Sequence, residues 1–196
     1  MKLQLLVVAW ALLITSACAS TRVVPNAAPT INESQYESVL EKNSDRLKKY
    51  KGLHNTMDVR AVLLSQEMSM AQLQYRSYLY QWDMKQWEDS LVESEKNGKK
   101  ETEVFVSFFT PEKKIDDLHK SKTLWKIFLD AGGQRYEGKA KKISLPTSEL
   151  IGFYPEHNRF STPYMVTFPV PREVLNGKKI QLTITGSVDS ATLNLN

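Results

Sequence analysis

Apolar residues follow two different rhythms along this chain. Tyr36, Val39, Leu40, Leu47 and Tyr50 fall on one face at helical spacing, with charged and amide residues between them and Gly52 behind them. This spacing predicts an amphipathic helix over 34–50. From Met57 the period drops to two. Met57, Val59, Ala61 and Leu63 alternate with Asp58 and Arg60, and then Val62 and Leu64 make the second face apolar as well, which predicts a first strand. Ser65 is placed to cap a second helix, where Met68, Ala71, Tyr75, Tyr78, Leu79 and Trp82 restore the helical period. Trp87 and Leu91 carry that period on to the stop signal Asn97-Gly98. So long a helix in a small domain predicts a break near Asp83.

The remainder reads as strands over 101–110, 122–130, 135–145, 164–170, 179–186 and 191–195, punctuated by Pro, Gly and Asn. Both faces of 104–109 and 124–129 are rich in apolar residues, so each needs a cover, and the long helix is the candidate. Ile180, Leu182 and Ile184 instead alternate with Gln181, Thr183 and Thr185, the pattern of a strand with one wet face. Asp130-Ala131-Gly132-Gly133 predicts a hairpin turn. Tyr136, Gly138 and Ala140 share one face while Ile143 and Leu145 point the other way, which predicts a bulge or sheet switch at Lys141-Lys142. The expected fold is mainly β with helices, or α+β: an antiparallel Ig-like β-sandwich of about seven strands. It would carry an N-terminal amphipathic helix and a long helix inserted after the first strand, in one domain over 34–196.

Composition agrees with a folded core. Hydrophobic residues make up 41% and charged residues 24%, outside the range of disordered chains. Nucleic-acid binding would need a concentrated basic face with stacking aromatics, whereas the paired lysines at 48–49, 99–100, 113–114, 141–142 and 178–179 lie beside acids and each suit a solvated turn or strand edge. The chain has a single cysteine, which excludes an internal disulfide framework and a multi-thiolate zinc site.

That cysteine stands in a telling place. Lys2 precedes an apolar run over 3–14 broken only by Gln4, and Thr15-Ser16-Ala17-Cys18-Ala19-Ser20 follows. The run is too short to span a bilayer and reads as an export signal. With Cys18 directly behind it, the segment resembles the lipobox of bacterial lipoproteins, although Thr15 stands where Leu is typical. The resemblance implies cleavage before Cys18, a diacylglycerol thioether on its sulfur and acylation of the new amine. Residues 1–17 would be the signal peptide and 18–33 a lipidated cysteine with a flexible tether. Ala19 after the cysteine resembles the enterobacterial signal for the outer membrane, with the inner membrane as the other destination. Ordinary cleavage at Ala17-Cys18-Ala19 is the alternative and would release a soluble periplasmic protein.

Catalytic patterns fail on inspection. Gly133 to Ala140 approaches a phosphate-binding loop, but Ala140 lacks the hydroxyl for Mg²⁺ and no helix follows. Asp116, Asp117 and His119 offer three ligands, yet neighbouring side chains diverge, so a turn or cap is the better reading and no metal or cofactor is expected. Gly186 to Ser190 is not a nucleophile elbow. The aromatic, charged loop 153–159 offers Tyr154, His157 and Arg159 as surface-recognition candidates, set against Phe153 and Tyr154 plugging the sandwich end. The expectation is a non-enzymatic, lipid-anchored binding or assembly module. It would have membrane lipid and an envelope protein as partners and no nucleic acid. An envelope hydrolase, with Asp116, Asp117, His119 and the 153–159 loop around one pocket, is the alternative.

Overall fold

The computed structural model describes residues 27–195, so Cys18 and the export signal lie outside the described residues. Among the described residues, nine strands form two antiparallel sheets that pack face to face, with four α-helices. The element order is α1 (Glu33–Lys42), β1 (Ser44–Lys51), β2 (His54–Leu63), α2 (Gln66–Tyr80), α3 (Met84–Gly98) and β3 (Thr102–Phe109). Then come β4 (Trp125–Ala131), β5 (Gln134–Glu137), β6 (Lys139–Lys142), α4 (Thr147–Phe153), β7 (Thr162–Phe168), β8 (Ile180–Gly186) and β9 (Ser190–Leu195). One sheet has the order β1-β2-β3-β7-β6 and the other β5-β4-β8-β9. The fold is therefore mainly β and sandwich-like, as expected, with nine strands in place of about seven.

The first difference from the sequence reading lies at the N-terminus. The helix predicted over 34–50 stops at Lys42, and Ser44–Lys51 forms an edge strand paired with β2 from Ser44 opposite Val62 to Lys51 opposite His54. Asn43 makes the break, since it is buried and its polar groups are all used. Its Nδ2 donates to Val39 O at 2.8 Å, its Oδ1 accepts from Ser65 Oγ at 2.6 Å, and its O accepts from Leu63 N at 2.8 Å. One side chain thus ties the end of α1 to β2 and to the cap of α2. Gly52 lies in the β1–β2 hairpin with φ 61°, not behind a helix. Residues 27–32, expected to belong to the tether, lie against the body: Ala27 bridges to Asp83, and Ala28 is buried.

The predicted long helix is two helices, inserted after the second strand and not the first. Ser65 caps α2 through Met68 N at 3.1 Å, and Asp83 opens α3 with a capping box shared with Gln86. Gln81, at φ 51°, takes the left-handed conformation that ends α2.

Two cores lie on either side of the five-stranded sheet. Between the sheets, Met57, Val59 and Ala61 of β2 and Val104, Val106 and Phe108 of β3 meet Ile127 and Leu129 of β4 and Leu182 and Ile184 of β8. On the outer face, Val62, Phe105 and Met165 are covered by Tyr36 and Leu40 of α1, Met68, Ala71 and Tyr75 of α2, and Leu150 and Phe153 of α4. The helix therefore covers β3 as expected, but β4 has no such cover. Lys126 is exposed and Phe128 only half-buried on its outer face.

The sheet switch occurs at Gly138, three residues before the predicted position. Gly138 separates β5 in one sheet from β6 in the other, and its N–H donates to Ile127 O at 2.8 Å. A Cβ there would lie 2.5 Å from Phe168 and 2.7 Å from Val166, so the chain can cross the sandwich corner only where no side chain intrudes. The predicted hairpin at Gly132-Gly133 joins β4 to β5, with φ of 57° and 80°.

Candidate functional site

Alternation along β3 decides what the 153–159 loop can reach. Phe105 and Ser107 point away from the sandwich interior, and the chain leaving α4 folds back over them. Tyr154 stacks on Phe105 with centroids 3.6 Å apart, and its hydroxyl accepts from Gln72 Nε2 at 2.9 Å. Burial pushes the Tyr154 phenol up to about 12. His157 meets Phe105 edge-on, and its Nδ1 lies 2.8 Å from Ser107 Oγ. Burial lowers the imidazole below its ordinary value.

Glu156 ties this loop to the edge of the sheet. Its carboxylate pairs with Arg60 and, at 3.3 Å, with Arg46. Arg46 also grips Asp58 through both ends of its guanidinium, at 3.1 and 2.8 Å. Tyr154 and His157 are therefore buried on the sheet. Arg159 is exposed, with its guanidinium 4.9 Å above the Phe160 ring, so the three recognition candidates do not form one surface.

A serine beside a histidine invites a catalytic reading, and the geometry argues against it. A nucleophile needs open space on one side and donors that await an oxyanion. Ser107 is 4% exposed, in the middle of a strand paired on both sides, between Arg60 of β2 and Pro163 of β7. The hydroxyl and imidazole satisfy one another beneath an aromatic stack.

Asp116, Asp117 and His119 lie at the other face of the same sheet. Asp116 accepts from Thr162 Oγ1 at 2.6 Å and from Tyr164 OH at 3.1 Å, and the Tyr164 ring belongs to the core between the sheets. Asp117 accepts from Thr123 Oγ1 at 2.8 Å, and His119 packs 5.8 Å from Tyr164. The acids act as loop anchors, as the turn reading expected. Sheet residues separate them from His157, so the structure does not bring the hydrolase set around one pocket. Among the described residues no group of three or more His, Cys, Asp and Glu could hold a metal.

A polar cleft that sequence reasoning missed opens between α2 and α3. It has a volume of about 240 Å³ and is lined by Gln72 and Arg76 of α2, Ser94 and Asn97 of α3, Glu103 of β3, and Arg172. Arg172 sits in a short 3-10 turn after Pro171 and donates from Nη1 to the carbonyl and hydroxyl of Ser94, at 3.3 Å each. The Nε atoms of Arg76 and Arg172 are buried without a partner. Desolvation raises the Glu103 carboxyl above its ordinary value, with Arg172 acting in the opposite direction, and desolvation lowers Arg172. The cleft therefore presents polar side chains of both signs, Arg76 and Arg172 beside Glu103, while the two Nε atoms themselves are enclosed. No local motif could have signalled this cleft, because Arg172 joins it from far along the chain beyond the two helices and the strand that form the rest of it.

No protein-family model, no curated protein and no solved structure matches this chain. Among the described residues no helix is long and apolar enough to cross a membrane.

Proposed function

We propose that this chain is a lipid-anchored lipoprotein of the bacterial cell envelope, most compatible with the outer membrane, whose β-rich body acts by binding or assembly. The observation that carries the reading is the lone cysteine, Cys18, directly behind an apolar run too short to span a bilayer. Two or more acyl chains, at about 0.8 kcal/mol per buried methylene, make such an anchor effectively permanent. The cleft around Arg76 and Arg172 supports the binding part, because its polar lining faces solvent while Ser107 and His157 are closed off.

Palmitate labelling of the wild type and of Cys18→Ser tests the anchor. Label should enter the wild type and be lost from the variant, and the mature chain should begin with an acylated Cys18. Equal incorporation in both, or a chain starting at Ser20, would remove the lipid reading in favour of a soluble periplasmic protein. A photo-crosslinking residue in place of Glu93, on the exposed rim of the cleft, tests binding. Specific capture of one envelope component supports it, and repeated failure to capture any counts against it.

A further inference from the structure

The lipid anchor, if Cys18 carries one, has a definite point of departure from the body. Ala27, the first described residue, forms an antiparallel bridge with Asp83, and Ala28 beside it is buried. The chain therefore meets the body where α2 hands over to α3. That end of the molecule shows an unusual surface. Tyr78, Leu79 and Tyr80 are consecutive, and they are 45%, 42% and 52% exposed. Tyr80 leans on α4, with its ring 6.5 Å from Phe153 and its hydroxyl 3.5 Å from Glu149, and Ile151 of α4 is 41% exposed nearby.

We infer that this aromatic end, Tyr78 to Tyr80 with Ile151, is the face the body rests on the bilayer that holds its own anchor. The inference builds on the lipidation of Cys18. The reach of the intervening chain selects the face. Eight residues lie between Cys18 and Ala27, which are nine Cα steps apart. A chain of that length reaches at most about 30 Å. A body of this size is about 40 Å across. The tether is thus too short to pass around the body, and the outer face of the β5-β4-β8-β9 sheet, on the side away from the helices, stays clear of the lipid.

The chemistry of the patch fits the same occupant. Tyrosine places an apolar ring and a polar hydroxyl at the depth where hydrocarbon gives way to headgroups, and Leu79 and Ile151 add apolar area. Glu149 bonds Tyr80, and Glu33 and Glu37 act on Tyr75, whose ring stacks 6.2 Å from that of Tyr78, so the contact does not depend on anionic lipid. Its effect is orientation: it turns the wet sheet outward, while the acyl chains supply retention.

The test uses the full-length, lipidated protein reconstituted in vesicles of phosphatidylethanolamine and phosphatidylglycerol. Lipidation leaves no free thiol on Cys18, so Leu79→Cys and Gln181→Cys can each be labelled with an environment-sensitive dye. Gln181 lies exposed on the outer face of β8. Spin-labelled lipid should quench the dye at 79 and leave the dye at 181 unquenched, and Tyr78→Ser with Tyr80→Ser should abolish the difference. Equal quenching at both positions in protein that floats with the vesicles would overturn the orientation and leave the anchor intact. Protein that carries no acyl chain and fails to float would overturn the lipid reading, and this inference with it.

Discussion

The two sheets carry strands of similar hydrophobicity and meet water very differently. β3, Thr-Glu-Val-Phe-Val-Ser-Phe-Phe, is buried along both faces, whereas β4, Trp-Lys-Ile-Phe-Leu-Asp-Ala, is dry on one face only. The difference is the layer of helices over β3. On β4 the outward Phe128 receives a smaller cover, because Arg135 lies 5.0 Å above its ring while bonding Asp130 at 2.7 and 2.9 Å. That pair also holds the Asp130 carboxyl below its usual range, through the hydrogen bond from Arg135. An apolar residue on the second face of a strand therefore reports that some cover exists, and not whether it is a helix or one arginine.

The sharpest way to break this comparison is to truncate the same residue type on both outer faces. Phe105→Ala should cost about 3–5 kcal/mol, because the ring is fully buried beneath Tyr154 and its removal leaves a cavity. Phe128→Ala should cost no more than about 1 kcal/mol, since water already reaches that face. Guanidinium denaturation of both variants checks this, and equal losses would show that the helical layer does not dry the sheet.

Next in size is the crossing between the sheets. Gly138→Ala should destabilise by about 1–3 kcal/mol through overpacking against Phe168 and Val166. Gly152→Ala, where nothing lies within 4 Å of a Cβ, should not destabilise and supplies the control in the same denaturation series.

A smaller effect separates the polar end of the helix-covered face from its apolar part. Ser107→Ala should cost about 1–2 kcal/mol by orphaning His157. His157 is held neutral by burial, and its folded value lies below the ordinary one near 6.5. The unfolded chain therefore binds the proton more readily. The stability this histidine contributes is present in full above about pH 6.5 and is lost as pH falls through the folded value. Melting temperatures followed over that interval should fall in the wild type and flatten in His157→Gln.

The least effect belongs to the edge of β1. Lys49 reaches Asp189, in the turn between β8 and β9, at 2.9 Å, but its side chain is 37% exposed. Lys49→Met should change stability by less than about 1 kcal/mol, and raised salt should erase the difference.

Several of the misread positions share one cause. Residues 44–51 contain one inward apolar residue, Leu47, at a distance from Leu40 that also suits a helix, so only pairing with β2 decides the strand. α4 spans seven residues behind Pro146 with no side-chain cap bond, too short for a periodic signal. The loop at 153–159 reads as plugging the sandwich end with Phe153 and Tyr154, but both rings pack on the outer face of the five-stranded sheet beneath the helices, and His157 also turns inward beside Ser107, fifty residues away in the chain. The cleft around Arg172 was invisible for the same reason.

By itself the amino-acid order determined most of the strand and helix periods, the cap at Ser65, the break near Asp83, the glycine hairpin at Gly132-Gly133 and the mainly-β class. Each of these rests on contacts within a few residues of chain. Tertiary structure alone decided that Ser44–Lys51 is a strand, that the sheets exchange at Gly138, which strand is dry on both faces, and that Arg76, Glu103 and Arg172 meet in one cleft. Those outcomes depend on groups distant along the chain, whose proximity no local pattern encodes.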